Sequence, residues 1–194
     1  MNKERIISNV AKLLQEIPTS MDIVKDDQKK DKRFQYLAKH MVEKAIKRDA
    51  LLTSDDDQGI AIFFKEDGSS EGFWDEILTD LQLALKVTGI KKGLKALKNQ
   101  KFIRKQRPNK GSYLYCWFWG ILPDARGLTD KKTAYKMKDQ MFAISKKEQL
   151  PIYAETRIRR VCVAYRRYGF ELLNEWEHPS GDTMYFLKYE PEKN

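Results

Sequence analysis

Tyr165 stands four residues before Gly169-Phe170 at the end of a helical run. The ordinary pKa of a phenol, about 10, keeps it protonated at neutral pH, so it can give a proton to a leaving group. Packing beside Val161 and Tyr168 is the simpler account of the residue taken alone. Upstream, Pro123 stops an aromatic run, and Arg126-Gly127-Leu128-Thr129-Asp130-Lys131 leads into an apolar pattern at helical spacing. A helix N-terminus there has amides without intrahelical partners and the positive end of the dipole, which suits a phosphate. Gly127 has no Cβ to obstruct such a ligand. Thr129 could cap the helix and Asp130 could sit in its first turn, which would satisfy the amides from within and repel an anion. Arg126, Lys131 and Lys132 work in the opposite direction.

The elements that must position these groups are legible from period. Ile6, Ile7, Val10, Leu13, Leu14 and Ile17 recur at helical spacing, and Pro18 is expected to end that helix. Phe34, Leu37, Ala38, Met41, Ala45 and Ile46 share the face of a second helix. Trp74, Ile77, Leu78, Leu81 and Leu85 define a third, running on toward the basic segment 91–110. Ala50 to Thr53 and Gly59 to Phe64 read as a β-hairpin whose second strand is apolar on both faces. Asp55-Asp56-Asp57 between them is a solvated turn, or a holder for a cationic acceptor. Ser112–Leu122 and Leu150–Thr156 are buried strands separated by a helix over Lys131–Ile144. The alternation of Trp117, Phe118 and Trp119 predicts two indoles on one face. Glu171–Glu177 and Thr183–Tyr189 close the chain as a hairpin. Helices, a hairpin, strand–helix–strand–helix and a last hairpin describe a mixed α/β fold in one domain, 1–194.

Composition narrows the classes. Lysine and arginine number 37 against 28 acids, a net charge of +9. The excess lies between Lys91 and Lys110, where nine cations occur without an acid, and the bland account is a solvated helix and loop. Only Phe102 interleaves there, which argues against base stacking and a nucleic-acid partner. The N-terminus lacks the continuous apolar stretch of a signal peptide, and no segment is long enough to span a membrane, so a cytoplasmic protein, monomer or homodimer, is expected. Cys116 and Cys162 read as reduced core thiols. His40 and His178 have no ligand-like spacing, so no metal site is expected.

Three segments resemble the GNAT superfamily of N-acetyltransferases: Pro123-Asp124-Ala125-Arg126-Gly127 after an aromatic strand, Leu150-Pro151-Ile152-Tyr153-Ala154-Glu155-Thr156, and Tyr165-Arg166-Arg167-Tyr168-Gly169-Phe170. The first falls where members carry Pro-x-x-Gln/Arg-x-x-Gly-x-Gly/Ala, and the last where they carry Tyr-x-x-x-Gly-Phe. Thr129 and Lys131 replace the expected glycines, Asp130 replaces an apolar residue, and Val161 and Val163 replace Asn and Pro. The resemblance implies a mostly antiparallel central sheet flanked by helices, and acetyl-CoA as cofactor. It further implies direct acetyl transfer to the primary amine of a small molecule or peptide. It assigns cofactor binding to Ile121, Leu122, Arg126, Gly127, Leu128, Thr129, Asp130 and Lys131, with backbone amides near Ile121 on the thioester carbonyl. Tyr165 takes the general-acid position. Glu155 is the acid residue closest to the implied cleft and a candidate base, although capping or pairing with Arg157, Arg159 or Arg160 is the simpler account. The alternative is a catalytically silent protein of the same fold, with its loop capped from within.

Overall fold

A 12-residue amphipathic helix, α1 (Lys3–Leu14), begins the chain, capped by the Asn2 side chain, which accepts from the Arg5 amide at 3.1 Å. The computed structural model describes residues 2–67, 87–88, 90–126 and 128–192, and of these the side chains of 90–95, 97 and 128–132 stand outside the description. Pro18 does not merely end the first helix; it opens a second, α2 (Pro18–Ile23). Its fixed φ and missing N–H suit a first helical position. Helix α3 (Lys30–Lys47) follows, then β1 (Leu51–Thr53) and β2 (Gly59–Glu66). The helix predicted through Trp74 and Leu85 falls on residues outside the description. Helix α4 (Ile90–Arg104) occupies most of the basic segment. Then come β3 (Tyr113–Ile121), a 3-10 turn at Pro123–Ala125, α5 (Leu128–Glu148), β4 (Ile152–Thr156), α6 (Arg159–Arg167), β5 (Glu171–Glu177) and β6 (Thr183–Tyr189). Among the described residues no helix is long and apolar enough to cross a membrane.

Six strands form one sheet in the order β1-β2-β3-β4-β6-β5. Every neighbouring pair is antiparallel except β3 and β4, whose parallel pairing requires a crossover, here α5. The mixed, mostly antiparallel sheet flanked by helices is therefore the observed architecture. β2 is apolar on both faces because both are covered. Ile60, Ile62 and Phe64 join the core of α1 and α3, while Ala61 and Phe63 join the core of α5 and α6. On the same side as α1 and α3, Ile103 of α4 packs on Met184 and Phe186 of β6.

The two indoles of β3 do not share a face, contrary to the alternation read from sequence. Ile62 pairs with Phe118 and Phe63 with Cys116, so Trp117 is an extra residue, a β-bulge. Trp117 packs with the α1/α3 core, whereas Trp119 packs with the α5/α6 core.

Behind β4, the buried Arg157 side chain donates to both oxygens of Asp182 at 2.7–2.9 Å and to Asp22 at 2.5 Å. Ser180 Oγ adds a bond to Asp22 at 2.9 Å. The guanidinium thus ties α2, the end of β4 and the β5–β6 turn together. Burial alone would raise the Asp22 carboxyl, but the bonds from Arg157 and Ser180 bring it below its ordinary value. A lowered folded-state pKa contributes stability that is present above the unfolded value of about 3.9 and is lost as pH falls through the folded one. The melting-temperature advantage of the wild type over Asp22→Asn is therefore expected at pH 6 and should shrink below about pH 4. Thermal melts across that range check it.

Candidate active site

β3 and β4 pair only from Leu114 opposite Ile152 to Cys116 opposite Ala154. Beyond that point β4 continues with β6 as far as Thr156, and β3 continues with β2 as far as Ile121. The bulge at Trp117 sits where the two strands part, since an extra residue bends its strand and increases the local twist. Leu122 donates its N–H to the Gln58 carbonyl at 2.9 Å. By antiparallel alternation, Gly120 then faces Ile60, and the peptide groups of Trp119 and Ile121 turn toward the split. At Gly120 a Cβ would stand 2.9 Å from Leu13 Cδ1, so glycine is what lets α1 lie against the strand at the opening.

The split opens onto both faces of the sheet. A cavity of about 440 Å³ lies at the split, walled by Leu13 and Glu16 from the α1 end, by Gly120, Ile121 and Arg126, and by Ala134, Arg160 and Tyr168 of α5 and the α6 end. A smaller cavity of about 120 Å³ is lined by Met41, Gln100, Ile103, Glu155 and Met184, among others. Ile17, Trp119, Ile158, Val161 and Tyr165 line both. Ligands seated in the two cavities would meet at Tyr165. The acidic turn Asp55–Asp57 lines neither cavity. Its carbonyls at Asp56 and Asp57 accept from Arg5 and Asn9 of α1 at 2.9 Å each, which ties the turn to that helix.

Tyr165 is buried, with its ring edge-on to Trp119 and Phe170 at centroid distances of 5.6 and 4.8 Å. Its hydroxyl lies 3.5 Å from Cys116 Sγ. Burial, reinforced by Cys116 and Glu155, pushes the phenol well above its ordinary value, so it remains a proton donor throughout the physiological range. Burial pushes the Cys116 thiol up to about 12, which leaves it a neutral core thiol. Glu155 does not pair with Arg157, Arg159 or Arg160. One of its oxygens accepts from the Tyr115 hydroxyl, and Arg157 is engaged elsewhere. Burial raises the Glu155 carboxyl, while the nearby Arg107 cation and the Tyr115 bond pull it back. A carboxylate raised in this way is better matched to accepting a proton near neutrality.

The residues predicted for the cofactor divide. Ile121 and Arg126 line the larger cavity. Leu122 instead packs against the α1/α3 core, and its amide is committed to Gln58, so it offers nothing to a carbonyl in the split. Arg126 donates to the Ile121 carbonyl at 2.8 Å and pairs with Glu16 at 2.8 Å. Gly127 lies outside the description. Leu128, Thr129, Asp130 and Lys131 form the first turn of α5. Thr129 is thus the second helical residue, and its side chain, with the capping role predicted for it, lies outside the description. Trp119, whose indole reads from sequence as core or cleft lining, does line the split, whereas Gly120 as a wall and Tyr115 beside Glu155 were not singled out. Alternation along an aromatic strand cannot reveal them once a bulge reverses its sense.

No protein-family model matches the chain, and no curated protein matches it by sequence. Solved structures do. The C-terminal condensation domain of Ebony in complex with beta-alanyl-dopamine is 12% identical with a TM-score of 0.70, covering 97% of this chain and 93% of that one. Arylalkylamine N-acetyltransferase 2 from Aedes aegypti is 13% identical with a TM-score of 0.65, covering 98% and 94%. A polyamine N-acetyltransferase of Drosophila melanogaster is 11% identical with a TM-score of 0.62, covering 97% and 94%. At such identities the likeness is one of architecture, and with the split sheet described above it establishes that the chain has the GNAT acetyltransferase fold.

Proposed function

We propose that the protein is an acetyl-CoA-dependent N-acetyltransferase acting on a small primary amine, with no covalent enzyme intermediate. The observation that carries this reading is the meeting of two cavities at Tyr165 through the split between β3 and β4. The larger cavity fits a thioester-bearing arm. It is walled by Gly120 and Ala134, and has Arg126 and Arg160 as cations for an anionic end. The peptide groups of Trp119 and Ile121 turn toward the same space. The smaller cavity suits an amine, with walls that mix apolar side chains with Ser20, Gln100, Thr156 and Arg157, and with Glu155 as the one carboxylate among its lining residues.

The roles follow from charge. An alkylamine arrives protonated, since its reference pKa is about 10.4, and cannot attack until the proton leaves. Glu155 accepts that proton through the oxygen that Tyr115 does not occupy. The amine nitrogen then bonds to the acyl carbon, the carbon–sulfur bond breaks as Tyr165 protonates the departing sulfur, and the nitrogen's second proton passes back to the Tyr165 phenolate. The neighbours named above include a domain holding beta-alanyl-dopamine and enzymes named for arylalkylamines and polyamines, which supports an amine acceptor.

One observation favours a second reading, a silent protein of the same fold. Arg126 is already engaged by the Ile121 carbonyl and Glu16, so the loop's cation is occupied without a ligand. A thermal melt separates the two. A ligand present at a hundred times its Kd stabilises by about 2.7 kcal/mol. For a chain of this length that raises the melting temperature by roughly 5–10 °C. Acetyl-CoA is expected to give such a rise, and release of free thiol with a panel of primary amines is expected to follow. No rise at millimolar acetyl-CoA supports the silent reading.

A further inference from the structure

We propose that Arg107 and Tyr115 are positioning residues that hold Glu155 as a carboxylate and leave one of its oxygens facing the smaller cavity. This inference rests on the role given to Glu155 above and deepens it. Tyr115 is among the largest fully buried side chains, and its hydroxyl donates to Glu155 Oε1. The Arg107 guanidinium lies over the Tyr115 ring at 3.9 Å from the centroid. Arg107 Nε is buried with no hydrogen-bond partner among the described residues. A buried arginine whose purpose was only to neutralise a carboxylate would normally fork onto it through two bonds. Here the cation is held by an aromatic face instead, close enough to act on Glu155 through space without occupying its oxygens. The single bond from Tyr115 fixes the carboxylate's orientation.

The other groups around the carboxylate do not supply that charge. Tyr113, Tyr115 and Cys116 reach it from β3 and Tyr165 from α6, and these are neutral donors with values raised by burial. Arg157 follows on its own strand, but Asp22 and Asp182 neutralise it. Glu66, on β2, faces Arg107 rather than Glu155 in its effect. Burial by itself favours the neutral form of Arg107, while the Glu155 and Glu66 carboxylates act in the opposite direction, and the guanidinium stays a cation. Its position is fixed by chain geometry, since it sits in the turn between α4 and β3 just before Pro108.

The test uses the full chain carrying carboxyl-¹³C glutamate, with the Glu155 resonance assigned by its loss in Glu155→Gln. In Arg107→Met the Glu155 titration midpoint is expected to move up by about one pH unit, a tenfold change in proton affinity. Tyr115→Phe is expected to move it in the same direction, and serves as the test if Arg107→Met does not fold. Arg107→Lys, which keeps the charge, is expected to stay near the wild type. An unmoved midpoint in folded Arg107→Met or Tyr115→Phe overturns the proposal. Turnover tells a second failure apart from this one. If the midpoint moves while Glu155→Gln retains full activity, Arg107 and Tyr115 hold the carboxylate as proposed and the base assignment falls. If Glu155→Gln is inactive and the midpoint stays still, the base stands and the positioning role falls. With both correct, the acid limb of kcat/KM in Arg107→Met shifts up by the same unit, and activity returns at higher pH.

Discussion

Tyr165→Phe is expected to lower kcat about a hundredfold while changing the KM for acetyl-CoA by no more than about twofold, within the range for loss of a positioned general acid. The ring keeps its edge contacts with Trp119 and Phe170, so the shape of both cavities is retained. Only the hydroxyl disappears, and its contact in the free protein is one 3.5 Å approach to Cys116. The melting temperature should therefore stay within a degree or two of the wild type, as expected when one weak buried pair is replaced by apolar surface. Because the phenol lies well above its ordinary value, the loss should be uniform between pH 6 and 9. Steady-state kinetics at several pH values read all of this. Unchanged kcat would remove Tyr165 from the chemistry.

The largest effect on stability is expected from Arg157→Ala. Breaking a fully buried ion pair commonly costs about 3–5 kcal/mol, because the partner is left buried and uncompensated. Here the partners are half exposed, at 44% for Asp22 and 35% for Asp182, so water can take over part of the solvation. A cost of about 2 kcal/mol follows, or a fall in melting temperature of roughly 4–8 °C. Arg157 also lines the smaller cavity, so amine KM should rise in the same variant. Lysine in its place retains the charge but cannot bind both oxygens of Asp182, and an intermediate melting temperature is expected. A wild-type melting temperature for Arg157→Ala would show that the three elements are held by packing alone.

Periodicity revealed the elements well where one face is apolar and ends are punctuated. The final strands, Glu171–Glu177 and Thr183–Tyr189, lie where alternation and the His178–Asp182 turn put them. The double-sided character of β2 was visible in its unbroken apolar run. Pro18 misled because proline stops one helix and starts another by the same constraint on φ. The site was legible in part. Tyr165 and Glu155 could be chosen because each has a chemical property that needs little context, and the structure brings both to one cavity. Leu122 could not be judged from sequence, since its amide partner, Gln58, is distant along the chain. The pair of Arg107 and Tyr115 was hidden for the same reason. Arg107 is one of nine cations in a row of similar residues, and only the fold shows that it alone among the described ones sits on an aromatic face beside Glu155.

The extra residue at Trp117 has a consequence for engineering this strand. Shortening it by that one position would restore regular alternation with Phe118 still opposite Ile62, so Phe118–Ile121 would keep their faces and only the bend and local twist that the extra residue imposes would be lost. The strand would still be able to pair with β2, so the protein could stay folded while its opening closed. Position 117 is therefore where a deletion would be expected to uncouple being folded from having a place to work.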